Sequence, residues 1–183
     1  NHRHTSTLEH CVVTYKFTVP LFVRSQHHRH RTWSYNEISR RYTNKNLQFY
    51  LPKTFRTQHK SNRQASNENK LIDPVIIPDL HDTGYGVTAS SLIKQNIEKN
   101  INLFNMLLKS GVCREQARMV LPQNLYTEYY GTVNLNNLLK FIDLRTHEGA
   151  QWEIQKAAEA CLEIATDLFP ETVSAYRKIR GVR

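Results

Sequence analysis

The sequence predicts an α/β chain of the α+β type, because strand-like and helix-like segments are combined within one domain-sized length. Residues 11–18 and 125–133 are rich in β-branched and aromatic side chains, which is typical of strands. Residues 88–110 and 151–169 repeat apolar side chains at three- and four-residue steps, which is typical of amphipathic helices. A chain of 183 residues can bury one core, and we expect a single domain over 1–183.

The N-terminal half contains a short helix followed by a weakly patterned region. Proline is well tolerated in the first turn of a helix, so Pro20 predicts a helix over residues 20–28. Residues 59–86 combine a polar run without periodicity with two prolines and two glycines, so we expect a loop or insertion there. We assign no chemistry to His59 or His81 within this segment.

The C-terminal half is predicted to be mostly helical. Gly111 should end the helix over 88–110, and a short helix over 114–122 should end at its proline. A further helix should run from Asn134 to Ile142. In the helix over 151–169 we expect four residues to face inward: Ile154, Ala158, Cys161 and Leu168. Pro170 then opens a shorter helix.

Charge and cysteine content restrict the partners and the compartment. The formal charge of +9 attracts polyanions, which fits either nucleic acid or phosphorylated small molecules. Three widely spaced cysteines without a C-x-x-C pair favour reduced thiols and a cytoplasmic location. No apolar run approaches membrane-spanning length, and no signal-peptide pattern is present. The chain opens on Asn1 rather than methionine, so we expect the natural N-terminus to lie outside this sequence.

The segment 29–42, RHRTWSYNEISRRY, concentrates four arginines, one histidine, one carboxylate and two serines. Guanidinium groups bind phosphate in a bidentate manner, so this density favours a pocket for a phosphorylated ligand. In an extended backbone, Arg29 and Arg31 would face one side and His30 the other. Glu37 would then hold the row of arginines in place or orient a ring.

This segment resembles the signature of the flavin-dependent thymidylate synthases, the ThyX family: R-H-R, two variable residues, S, one variable residue, then N-E-x-S-x-R-Y. Every fixed position is present: Arg29, His30, Arg31, Ser34, Asn36, Glu37, Ser39, Arg41 and Tyr42. Similar blocks recur at residues 4–10, 115–122 and 134–153. Three positions depart from the family pattern, because Asn136, Lys140 and Gly149 stand where many members have arginine, asparagine and histidine.

The resemblance implies a ThyX-like fold, with a central, mostly antiparallel sheet flanked by helices, and it implies roles for individual residues. The residues implied to bind dUMP are Gln26, His27, His28, Arg29, Glu37, Ile38, Ser39, Arg40, Arg41, Arg118 and Arg145. Those implied to bind FAD are Ser6, Glu9, Arg29, His30, Arg31, Glu37, Asn134, Asn136 and Lys140, with His4 on the folate side. Arg145 is the implied catalytic residue, which faces the uracil ring and favours its ionised imide.

The same resemblance implies the co-substrates and the assembly: NADPH as the source of reducing equivalents, methylenetetrahydrofolate as the carbon donor, and a homotetramer whose sites are shared between subunits. The reaction needs no protein nucleophile, because a reduced flavin supplies the hydride. Cys11 and Cys161 lie in apolar patterns, and no neighbouring histidine is suggested as a base for Cys113. Ser39 also lacks a base, so we expect it to form hydrogen bonds only.

Two other interpretations remain open, and a metal site is not expected. A basic nucleic-acid-binding module could use Trp33, Tyr35 and Tyr42 as a stacking platform. An inactive scaffold could retain the fold and carry the three departures. The side chains of adjacent histidines point in different directions on a regular backbone, and the sequence has no set of four ligands at the spacing of a metal site. We therefore expect no metal. No G-x-G-x-x-G turn is present, so a Rossmann domain is not expected.

Overall fold

The structure is a computed structural model that describes residues 4–39, 47–77 and 86–180. The strands in these ranges are β1 Val12–Pro20, β2 Ser34–Glu37, β3 Phe55–Gln58, β4 Ser66–Ile72, β5 Val75–Ile76, β6 Val87–Thr88 and β7 Tyr126–Asn134. The α-helices are α1 Leu21–His27, α2 Ala89–Lys109, α3 Arg114–Ala117, α4 Leu135–Arg145, α5 Trp152–Leu168 and α6 Pro170–Arg180. Short 3-10 helices cover Ser6–His10 and Arg118–Val120.

The strands form one three-stranded sheet and two strand pairs. The larger sheet has the order β1-β7-β2, and the pairs β3-β4 and β5-β6 are both antiparallel. This mixture of strands and helices confirms the predicted α+β class. Within the described ranges, no helix combines the length and the apolar composition that a membrane span requires.

The chain divides into two compact units. Unit 1 comprises residues 1–15, 26–35 and 131–183, and unit 2 comprises residues 16–25 and 36–130. The prediction of a single catalytic domain over 1–183 stays a prediction.

Unit 1 is built around helices. Helix α5 packs against both α4 and α6, and the 3-10 helix Ser6–His10 packs against α4. The apolar faces of these helices supply the core of the unit, with Phe141, Ile154 and Val173 almost completely buried. Tyr15 adds to this core from β1, and its hydroxyl donates a hydrogen bond to the Cys161 carbonyl oxygen at 3.1 Å.

Unit 2 packs the long helix α2 against α3 and β6. Thr88 caps the N-terminus of α2, because its hydroxyl oxygen accepts the Ser91 N–H at 3.4 Å. Ile97 and Phe104 are the buried residues of this helix. Gly111 follows with a φ of 85°, a left-handed conformation that suits glycine and ends the helix as predicted.

Three local predictions are wrong. Part of the segment 59–86 forms strands, because β4 pairs with β3 through backbone hydrogen bonds that need no apolar alternation. Residues 28–32 form turns rather than an extended run, with the His30 N–H donating to the His27 carbonyl oxygen at 2.9 Å. Leu168, predicted to face inward, is 55% exposed at the end of α5, whereas Cys161 on the same helix is buried.

Candidate functional site

The arginine–histidine cluster of unit 1 comprises Gln26, His27, His30 and Arg145. Arg145 lies in the last turn of α4, four residues after Phe141, so both side chains lie on the same helix face. The Phe141 ring packs edge-on against His30, with ring centroids 4.8 Å apart. The Arg145 Nε–H donates to His30 Nε2 at 3.0 Å, and Nη2 donates to the Gln26 carbonyl oxygen at 3.5 Å.

Both histidines of this cluster are neutral at physiological pH. Burial, and after it the neighbouring His30, His28 and Arg145 in that order, together lower the pKa of His27 to about 3. Burial and the charge of Arg145 lower the pKa of His30 to about 4. A neutral imidazole can accept a hydrogen bond, so His30 holds the guanidinium without neutralising its charge. Burial also lowers the pKa of Arg145 itself.

A chain of amide groups continues this cluster toward α5. The Gln26 side-chain N–H donates to Gln151 Oε1, and the Gln151 side-chain N–H donates to Glu153 Oε2 at 2.9 Å. Gln151 is the residue immediately before α5, and Glu153 lies in its first turn. Gln26, predicted to contact the nucleotide, is therefore held in place from both its backbone and its side chain.

The carboxylate clamp of unit 2 comprises Arg24, Glu37 and Thr127. Arg24 binds the Glu37 carboxylate in a bidentate manner, through Nε to Oε1 at 3.0 Å and through Nη2 to Oε2 at 2.8 Å. The Thr127 hydroxyl donates to Glu37 Oε1 at 2.7 Å. Both oxygens of Glu37 are thus bound by the chain itself, which fixes the orientation of this motif carboxylate.

The carboxylate clamp forms part of the wall of the polar pocket, a cavity of about 500 Å³ in unit 2. Its walls come from α1, β2, β7 and the segment 115–125. The lining residues are Leu21, Arg24, Glu37, Ile38, Ser39, Glu115, Arg118, Met119, Leu121, Gln123, Leu125 and Thr127. Four of the residues predicted to bind dUMP, from two separate sequence blocks, therefore line one cavity: Glu37, Ile38, Ser39 and Arg118.

The helical pocket is a second cavity, of about 400 Å³, in unit 1. It lies among the 3-10 helix, α4 and α6, and its lining residues are His4, Thr5, Thr7, Leu8, Asn136, Leu139, Lys140, Asp143, Thr172, Ala175, Tyr176 and Ile179. Three residues predicted on the flavin and folate side, His4, Asn136 and Lys140, are among them. Asn136 is 7% exposed, and its side-chain N–H donates to Glu9 Oε1 at 3.1 Å.

Two of the three departures from the family pattern, Asn136 and Lys140, thus have a definite place in this pocket. At the third, the Gly149 N–H donates to His147 Nδ1 at 3.0 Å. Asn134 has a structural role that the sequence did not predict, because its Oδ1 accepts the Asn137 N–H at 2.9 Å and caps α4.

Several predicted residues are not brought into these pockets. Arg29, Arg31 and Ser6 are exposed, and none of them lines either cavity. His28 is half-buried, with its ring centroid 4.0 Å from that of Tyr35. Arg40 and Arg41 lie outside the described residues. The assignments of all these residues remain predictions.

The stacking platform proposed for nucleic-acid binding is not available in the described part of the chain. Trp33 is 5% exposed, and its ring packs against Phe141 at a centroid distance of 5.3 Å. The half-buried Tyr35 hydroxyl donates toward the carbonyl oxygens of His27, at 2.8 Å, and His30, at 3.1 Å. Tyr42 lies outside the described residues. These aromatic rings stabilise the cluster and do not form an open surface for bases.

The three cysteine thiols differ in their exposure to solvent. Burial raises the pKa of the Cys161 thiol to about 12, which makes it inert, and Cys113 is exposed at the start of α3. Cys11 is only half-buried. Among the described residues, no group of three or more histidine, cysteine, aspartate or glutamate side chains is arranged to hold a metal ion.

Sequence reasoning missed Arg24, Thr127 and Gln151 as members of these clusters. Arg24 precedes the motif by five residues, and Thr127 is 90 residues from its partner Glu37 along the chain. An arginine two residues before Gln26 on the same short helix was the available signal for Arg24. Nothing in the local pattern of β7 identifies Thr127.

A family model and two sequence relatives place this chain among the same group of proteins. The family model described as thymidylate synthase complementing protein matches residues 1–171. A flavin-dependent thymidylate synthase of Thermus thermophilus is 41% identical over 177 residues, which cover 97% of this chain and 60% of that protein. One of Thermosipho africanus is 37% identical, with 97% and 73% covered. The chain thus spans about 60% of the length of the Thermus relative.

The solved structures confirm the predicted fold. A UMP/dUMP methylase, PolB from Streptomyces cacaoi, bound with 5-Br UMP, superposes with a TM-score of 0.78 at 29% identity. The match covers 96% of this chain and 77% of that chain. The same methylase bound with 5-Br dUMP superposes with a TM-score of 0.76 at 30% identity.

Proposed function

The chain belongs to the thymidylate synthase complementing protein family, and from that premise we propose that it is a flavin-dependent thymidylate synthase that reductively methylates dUMP to dTMP. One observation carries the proposal: residues from two motif blocks, represented by Glu37 and Arg118, line the same polar pocket. Its volume of about 500 Å³ falls within the range typical of small-ligand sites.

In this proposal, arginines bind the nucleotide at both ends. Arg118, with Arg29 and Arg41, neutralises the phosphate, because guanidinium groups match phosphate geometry. Arg145 stabilises the negative charge that develops on the pyrimidine ring. Its hydrogen bond to a neutral His30 supports this role, since the acceptor leaves the charge of the guanidinium uncompensated. Glu37 is held rigid and orients a bound ring.

We propose that the helical pocket receives the ring system of the flavin. Its volume of about 400 Å³ lies within the range for cofactor sites, and Leu8, Leu139 and Ile179 offer an apolar surface for a ring. Asn136 and Lys140 supply hydrogen-bond donors along its edge. When bound, FAD supplies the hydride that completes the methyl group, with NADPH as its reductant and methylenetetrahydrofolate as the carbon donor. The chain's own share is binding, orientation and electrostatics.

The proposal includes a homotetramer whose sites are shared between subunits. Within one chain, the predicted residues form two sets. The unit 1 set includes Gln26 and Arg145, and the unit 2 set includes Glu37 and Arg118. We propose that the unit 1 set of one subunit and the unit 2 set of another complete each site.

The test is direct. The purified chain, reconstituted with FAD, should be yellow and should convert dUMP to dTMP when NADPH and methylenetetrahydrofolate are supplied. A colourless protein that takes up no flavin and does not relieve the thymidine dependence of a synthase-deficient strain would contradict the proposal. Salt-dependent oligonucleotide binding without a chromophore would favour the nucleic-acid-binding alternative, which no described contact supports. Flavin uptake without dUMP conversion would favour the inactive scaffold.

A further inference from the structure

The carboxylate clamp contains an arginine, Arg24, that lies outside the family motif. Backbone hydrogen bonds bring together the three segments that form the clamp. The Leu21 N–H donates to the Leu125 carbonyl oxygen at 2.9 Å, which ties the start of α1 to the residue before β7. The Ile38 N–H donates to the Glu128 carbonyl oxygen at 3.0 Å, which ties the end of β2 to β7.

These backbone contacts bring Arg24 and Thr127 within hydrogen-bonding distance of the Glu37 carboxylate. Three hydrogen bonds of 2.7–3.0 Å then bind it, two from the guanidinium and one from the hydroxyl. Thr127 is 2% exposed, so its hydroxyl donor has a fixed position. A carboxylate bound at both oxygens by a planar fork has one orientation, whereas a carboxylate bound by a lysine could rotate.

We propose that Arg24 is a positioning residue for the nucleotide site, which acts through Glu37 and does not bind the phosphate itself. The Arg24–Glu37 pair is neutral as a whole, so it contributes fixed hydrogen-bonding geometry to the polar pocket and no net charge. This role rests on the proposed function, because it concerns the pocket in which dUMP binds.

The experiment measures dUMP dissociation constants by calorimetry on the full chain. Arg24→Lys keeps the charge and removes the planar fork, and it should weaken dUMP binding roughly tenfold. In a Glu37→Gln background, the same substitution should change binding by less than about twofold, because Arg24 acts through the carboxylate. If Arg24 only stabilised the fold, its substitution would not change dUMP affinity in a way that depends on Glu37.

The matched control is Lys16→Ala. Lys16 pairs with Glu128 at 3.4 Å in the same unit, but both side chains are about half exposed, at 52% and 46%. Its removal should leave dUMP binding unchanged. Thr127→Val removes only the hydroxyl donor, and it should weaken binding roughly threefold. This variant also tests the proposal if Arg24→Lys does not fold.

The outcomes separate this inference from the proposed function. Two results would overturn the positioning role alone. The first is a folded Arg24→Lys variant that binds dUMP as tightly as the unaltered chain. The second is an Arg24→Lys substitution that weakens dUMP binding by the same factor in the unaltered chain and in the Glu37→Gln background. Wild-type affinity in Thr127→Val would overturn it as well. Failure of the unaltered chain to bind dUMP would overturn the proposed function, and this inference with it.

Discussion

The two units each contain a partly buried arginine, and they hold it in opposite ways. In unit 2, the carboxylate of Glu37 binds Arg24 through two hydrogen bonds and neutralises its charge. In unit 1, Arg145 donates to the neutral imidazole of His30 and to a backbone carbonyl oxygen, so its positive charge is not balanced by these partners.

This difference indicates different tasks for the same side chain. A guanidinium neutralised by a carboxylate is suited to hold that carboxylate in place, because two of its N–H groups fix both carboxylate oxygens. A guanidinium that is fixed by neutral acceptors in a partly dehydrated site interacts strongly with negative charge on a ligand. The comparison supports the proposed roles, positioning for Arg24 and charge stabilisation for Arg145, and the first of the following predictions tests the role of Arg145.

The largest expected effect is on turnover. Arg145→Ala removes the uncompensated charge, and it should lower kcat/KM about 10²–10³-fold while flavin remains bound. The measurement is steady-state dTMP formation, with flavin content checked by absorbance. The matched control is Arg63→Ala, an exposed arginine between β3 and β4, which should leave turnover unchanged. Turnover in Arg145→Ala near that of the unaltered chain would refute the proposed catalytic role.

The proposed homotetramer can be tested with mixed assemblies, which should show whether residues from two subunits complete one site. Arg118→Ala and Arg145→Ala each disable one set of residues, so co-expressed, differently tagged subunits should regain activity in about a quarter of their sites. Each variant alone should show only the low residual turnover that its own substitution leaves. The measurement is the activity of tetramers purified through both tags. No recovery in such tetramers would mean that both sets of a site come from the same subunit.

Acid should destabilise the fold through the histidines of unit 1. The pKa values of His27 and His30 lie near 3 and 4 in the fold, below the value of about 6.5 in an unfolded chain. The unfolded state therefore binds more protons below about pH 6.5, and stability falls as the pH drops from there toward 4. The loss should be on the order of a few kcal/mol, measured by urea unfolding at several pH values.

The control for this acid sensitivity is His27→Phe, which retains an aromatic ring against Phe141 but has no proton to bind. Its stability should fall less steeply with acid than that of the unaltered chain. Equal slopes in the two proteins would show that His27 is not the source of the effect.

The smallest expected effect concerns the start of the helix that carries Arg145. Asn134→Ala removes the cap of α4 and should lower the free energy of unfolding by about 1 kcal/mol, measured by urea unfolding. Asn134→Ser keeps a capping oxygen and should restore most of that stability. A flavin titration of both variants tests the second role predicted for Asn134. Equal flavin affinity in both variants and the unaltered chain would leave the cap as its only role.

Much of the fold could be predicted because its elements carry local patterns. Each of these patterns depends on residues that are close in sequence. Examples are the apolar repeat of α2, the glycine at its end and the prolines at the helix starts. The hairpin β3-β4 could not be predicted this way. Its mostly polar strands are held by backbone pairing, such as that of Phe55 with Ile72, which requires no alternation of apolar side chains along either strand.

The sequence by itself determined the family of the chain and the identity of the motif residues, because residue type and spacing are local properties that need no coordinates. Only the tertiary structure decided which charges are balanced. Glu37 meets Thr127 across 90 positions of the chain, and Arg145 meets His30 across 115. Residues so far apart in sequence come into contact only when the strands and helices pack. Burial at each contact then sets the protonation state of the histidines and the orientation of the guanidinium groups.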